Sequence, residues 1–148
     1  MNILAIDTCT EVASVTLYAS GVRTSRVLTN VEKSSGHILK LCDEVFEESG
    51  KQLKEINLIA YSKGPGAFTG VRMCIGVVQG LSLSCNIPTI GFSTLELLGF
   101  RASKILKVEK IAIALDARMG EVYWAVYEHG VVSKMKICSP EDVDYLDA

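Results

Sequence analysis

Residues Lys63 to Leu81 read KGPGAFTGVRMCIGVVQGL. Gly64, Pro65, Gly66 and Gly70 sit in a short loop that opens into a helical run, the place where many folds cradle phosphate. The loop misses both phosphate templates. A P-loop needs G-x-x-x-x-G-K-[ST], but Gly64 and Gly70 stand one residue too far apart, and Val71-Arg72 replaces the Lys and the hydroxyl. A dinucleotide loop needs G-x-G-x-x-G; Gly64 and Gly66 fit and Gly70 comes one step late. Pro65 also removes an amide that such a loop would offer. A helix N-terminus still attracts anions, with Arg72 near the first turn. The simpler reading is a tight turn that packs strand against helix, with Thr69 as the helix cap and a glycine at Gly66 or Gly70 required by positive φ or a close neighbour.

The helix that follows is apolar around nearly its whole circumference: Val71, Met73, Cys74, Ile75, Val77, Val78, Leu81 and Leu83. Arg72 and Gln79 mark one narrow polar stripe, and Gly76 and Gly80 lie four apart, where backbones can approach. Such a helix is covered on all sides. A sheet covers one side. The other is covered either by this chain's own core or by a partner.

The rest of the chain sets the frame. Its 148 residues suffice for one domain with a real core, and 49% are hydrophobic. Arg72, Gln79 and several serines interrupt the most apolar region, so no run reaches the length of a membrane span. The N-terminus MNILAIDTCT has no basic segment and reads as a first strand, not a signal peptide. A net charge of −2 argues against tight nucleic-acid binding by this chain alone. Five cysteines in no C-x-x-C pattern, none near a histidine in sequence, suit a reducing cytoplasm better than a disulfide framework or zinc site.

Periodicity predicts the order β-β-β-α-β-α-β-α-β-β. NILAID is a central strand, and VASVTLYAS and VRTSRVLTN form a hairpin around Gly21. SSGHILKLCDEVFEESG is a helix capped by Ser34 or Ser35 and ended by Gly50, with Ile38, Leu41 and Val45 at helical spacing. INLIAYSKG and IPTIGF are strands, STLELLGFRASKIL is a helix begun by Ser93 or Thr94, and KIAIALDAR and EVYWAVYEH form a hairpin. SPEDVDYLDA reads as a helix start or a ragged end. Three antiparallel strands followed by alternating helices predict an α/β fold, a mixed sheet with helices on its faces.

ILAIDTCTEVASVTLY, SSGHILKL, KGPGAFTGVRMCIGVVQGLS, IPTIGFSTLELL and ALDARMGEVYWAVY together resemble the TsaB (YeaZ) family, in that family's order. The resemblance implies an ASKHA, RNase H-like lobe of the actin, sugar-kinase and heat-shock ATPase type, over residues 1–130, with 131–148 starting a second lobe. It implies a cytoplasmic, non-catalytic scaffold or activator of the paralogous transferase TsaD. That enzyme makes threonylcarbamoyladenosine beside the tRNA anticodon, together with the ATPase TsaE. Homodimerisation through helices, tRNA contact only through the complex, and no membrane, cofactor or metal of its own complete the expectation. On that alignment the metal histidines of TsaD fall near Leu98 and Ala102, which bind no metal. The chain's two histidines, His37 and His129, lie far apart.

The superfamily's phosphate hairpin corresponds to Asp7-Thr8-Cys9-Thr10-Glu11, which has no glycine and gains a carboxylate at Glu11. Asp7 is expected to hydrogen-bond its own turn. The expected partner interface comprises Ile38, Leu41 and Val45 of one helix with Met73, Gly76, Val77, Gly80 and Leu81 of the next. Arg101, Lys104, Lys107 and Lys110 read as a solvated face, with a weak tRNA contact as the alternative. The competing function is a nucleotide-dependent phosphotransferase, or a hydrolase using Asp7, Thr8 or Cys9.

Overall fold

The computed structural model describes residues 1–29 and 36–143. The chain divides into two compact units, Met1–Lys63 with Ala67–Phe92, and Gly64–Gly66 with Ser93–Ala148. In the first unit, β1 (Ile3–Asp7), β2 (Val12–Ala19) and β3 (Val22–Thr29) form the expected antiparallel ribbon. Ser20 and Gly21 both take positive φ, 53° and 78°, which matches the twist of a two-residue hairpin turn. β4 (Leu58–Ser62) and β5 (Thr89–Phe92) add in parallel, giving the order β3-β2-β1-β4-β5. β1 is therefore central, with Leu4 and Ile6 buried. This is the mixed sheet that the sequence predicts.

Helix α1 (Ile38–Ser49) lays Ile38, Leu41, Cys42 and Val45 against β2 and β3, the one stripe that an i, i+3, i+4, i+7 spacing creates. Gly50 ends it at φ 65°. The expected caps Ser34 and Ser35 lie outside the described residues. Helix α2 (Phe68–Cys85) connects β4 to β5. Among the described residues it is the one helix long and apolar enough, by length and composition, to cross a membrane; Arg72, Gln79 and the serines do not interrupt it as expected. Its setting is that of a crossover helix: short loops join it to two strands paired in parallel, from Ile59 with Thr89 to Ser62 with Phe92.

In the second unit, α3 (Thr94–Leu106) covers a separate antiparallel sheet of β6 (Lys110–Arg118), β7 (Glu121–Glu128) and β8 (Val131–Cys138). The strands after α3 thus do not extend the mixed sheet. Two-residue turns at Met119-Gly120 and His129-Gly130, all at positive φ, pair them with one another. β7 is buried on both faces: Ala125 and Tyr127 pack with Leu95, Trp124 and Val126 with Val143. The sequence reading leaves β8 unassigned. Its pairing shifts between Trp124 and Val126, and Lys134 takes φ 53°, so a bulge breaks the period-2 pattern that marks a strand. The lobe boundary expected at residue 130 falls in the turn between β7 and β8, which pair with each other. Pro140–Asp142 forms a single 3-10 turn in the segment that reads as a helix start or a ragged end.

Of the two expected caps of α3, Ser93 and Thr94, Ser93 is the one found. Its Oγ accepts from the amides of Leu95 and Glu96 at 3.1 and 3.4 Å, and the Glu96 carboxylate accepts from the Ser93 amide at 2.6 Å. Ser93→Ala is expected to cost about 1 kcal/mol in a urea titration; an unchanged midpoint would show that the box contributes nothing.

Candidate functional site

Two turns meet where β1 and β4 end. The Asp7 carboxylate accepts from the Cys9 amide at 2.9 Å and from Ser62 Oγ at 2.5 Å, so Asp7 ties its own turn, as expected, and also the end of β4. Thr8 Oγ1 donates to the Gly70 carbonyl at 2.6 Å, and the Ala67 amide donates to the Cys9 carbonyl at 3.0 Å. The first turn of α2 is thereby laced to the β1–β2 turn. A Cβ added to Gly70 would lie 2.0 Å from the Thr8 carbonyl oxygen, so the backbones touch where only glycine fits. Gly64 takes φ 93°, and its carbonyl accepts from the Thr94 amide at 2.9 Å. The Gly64–Pro65 bond is cis.

The cap of α2 differs from expectation. Ala67 is the capping residue, without a side-chain hydrogen bond, and Thr69 lies inside the first turn. The backbone contact with the β1–β2 turn sets where the helix begins.

These contacts define what the junction can do chemically. The two segments expected to resemble phosphate loops hold each other. The carbonyls of Thr8 and Cys9 point at the start of α2, the position from which an anion would accept hydrogen bonds. Arg72, the candidate phosphate cation, lies over the Phe68 ring at 3.5 Å from its centroid, on the exposed side of the helix. Thr8, Cys9 and Ser62 are buried. The Cys9 thiol donates to the Ser62 carbonyl at 3.4 Å and lies 3.1 Å from Ser62 Oγ. A nucleophile needs access and a favoured thiolate; this thiol is buried and lacks the access. Ser62, which the sequence reading missed, could have been suspected as the polar end of a buried strand just before the glycine loop.

The other thiols divide by burial. Burial pushes Cys74 up to about 11, with smaller upward contributions from Cys9 and Asp7, and Cys42 up to about 12, with a smaller one from Asp43. Cys85 is exposed. Iodoacetamide at pH 8 should therefore modify Cys85 within minutes while Cys42 and Cys74 stay protected until the protein unfolds. Equal labelling of all three in peptide mass spectra would contradict the packing described.

Beyond the junction, α2 buries one stripe, Gly70, Cys74 and Val78, at i, i+4, i+8. Only these three of its eighteen residues are buried. Met73, Val77 and Leu81 are half-buried against the chain's own core. Arg72, Gly76, Gln79, Gly80 and Leu83 face outward, and a Cβ on Gly76 or Gly80 would meet nothing within 4 Å. Of the residues expected at a partner interface, the structure leaves Gly76 and Gly80 open. It places Ile38, Leu41 and Val45 in the chain's own core, because they form the only apolar stripe α1 has. The outer side of α1 carries Lys40, Asp43, Glu47 and Glu48, with Leu39 as its one exposed large apolar residue. Beside α2, a groove of about 310 Å³ is lined by Tyr61, Ile75, Val78, Gln79, Ser82, Leu83 and Thr89.

The remaining candidates scatter. Leu98 and Ala102 sit one turn apart on α3. His129 pairs with Glu109 at 3.8 Å in the β7–β8 turn, and His37 is at the start of α1. Arg101, Lys104 and Lys107 are exposed on α3 and just after it, while Lys110 pairs with Glu128 at 4.0 Å.

Comparison with known proteins matches this architecture. The family model for "TsaD: tRNA N6-adenosine threonylcarbamoyltransferase" covers residues 28–146. The tRNA threonylcarbamoyladenosine biosynthesis protein TsaB of Escherichia coli K12 is 43% identical over 86% of this chain, and its counterpart from Buchnera aphidicola of Schizaphis graminum 41% over 84%. The chain spans only 55% and 60% of the length of those relatives. The solved structure of YeaZ from Pseudomonas aeruginosa superposes with a TM-score of 0.89 at 37% identity, over 97% of this chain and 70% of that one. The expected α/β fold, a mixed sheet with helices packed on it, is the fold found, and YeaZ shares it. The TsaD model matches from the end of β3 onward, and on the YeaZ fold, matched at 37% identity over 97% of its length, this chain belongs to the TsaB (YeaZ) family.

Proposed function

We propose that the chain is a non-catalytic partner of a TsaD-type transferase in the synthesis of threonylcarbamoyladenosine on tRNA. One observation carries the reading: α2 is apolar almost all round, yet the chain buries only three of its eighteen residues. A soluble domain keeps such a helix for another protein. The open backbone over Gly76 and Gly80 lets a second helix approach closely. The match to the TsaD model spans all of α2, so the transferase has a corresponding helix to offer. Paralogues that share a surface can pair as two copies of one chain do, which also supports a homodimer of the chain alone. An ATPase such as TsaE as a further member, tRNA contact only within the assembly, and a cytoplasmic location without membrane attachment belong to the same reading.

The competing enzyme reading, a nucleotide-dependent phosphotransferase or hydrolase, fits the junction less well. Its hydroxyl and thiol are buried, and its loops are bonded to each other. Isothermal calorimetry with ATP and magnesium separates the two. The isolated chain should give no binding isotherm at micromolar concentrations; a micromolar dissociation constant at physiological salt would favour the enzyme.

A further inference from the structure

We draw no further inference here: the strongest candidate, the face of the five-stranded sheet turned away from α1 and α2, where Val12, Tyr18, Val27, Ile90 and Phe92 are exposed, carries none because nothing in the structure shows what covers it.

Discussion

Gly70→Ala is expected to destabilise the chain by about 3–5 kcal/mol. The added Cβ would stand 2.0 Å from the Thr8 carbonyl oxygen and 3.2 Å from its carbonyl carbon, and both are backbone atoms that no rotamer change can move. Relief requires parting α2 from the β1–β2 turn. That motion stretches the Thr8 Oγ1 to Gly70 bond and the Ala67 to Cys9 bond together. Overpacking of this kind costs about 1–3 kcal/mol, and each buried partner left unsatisfied adds about 1–3 kcal/mol. The expected fall in melting temperature is about 10 °C or more for a chain of this size. Gly76→Ala is the control. It sits in the same helix with open space around its Cα, so the ordinary helix propensity difference should stabilise it by about 0.5–1 kcal/mol. If Gly70→Ala unfolds within about 0.5 kcal/mol of the parent, the close approach does not exist as described.

The second large effect concerns association. Gly76→Glu and Gly80→Glu should leave the monomer folded, because neither position meets a neighbour and glutamate is a better helix former than glycine. Val77 and Leu81 are poorer test sites, since both rest on the chain's own core and a charge there would confound folding with binding. At an interface, a carboxylate on α2 would be buried without a partner. A cost on the order of 3 kcal/mol or more follows, roughly a hundredfold or more in dissociation constant. Sedimentation of the variants alone and co-purification with a TsaD-type transferase read this directly, and modification of tRNA by the assembled proteins should fall with binding. Variants that associate and support modification like the parent would place the interface elsewhere and remove the basis of the proposed function.

Much of the fold follows from local pattern alone. Alternation in VASVTLYAS, the turn at Gly21, the stripe Ile38–Leu41–Val45 and the Ser93 box each depend on residues within a few positions of one another. The physics of hairpins, amphipathic helices and caps acts at that range. The ambiguity of the glycine loop was also narrowed by sequence, because spacing excludes both phosphate templates whatever surrounds them. Gly70 was legible as one of two glycines that needed a reason. The reason itself was not legible, since the Thr8 carbonyl is distant in sequence and reaches Gly70 only through the packing of β1 against α2.

Tertiary structure decided the remainder. It moved the start of α2 from Thr69 to Ala67, because a backbone bond to Cys9 fixes that end and no side chain does. It separated β6, β7 and β8 into their own sheet and revealed β8, whose bulge at Lys134 hides its alternation. It assigned the buried apolar residues of α1 to the chain's own core, and it left Gly76, Gly80 and Leu83 of α2 facing outward beside Arg72 and Gln79. The sequence by itself established that α2 is apolar around nearly its whole circumference and that its loop does not match a phosphate loop. Which side of α2 faces the sheet was beyond it. A polar stripe as narrow as Arg72 and Gln79 carries little periodic signal of orientation, and the fit of Gly70, Cys74 and Val78 against the strands supplies the rest.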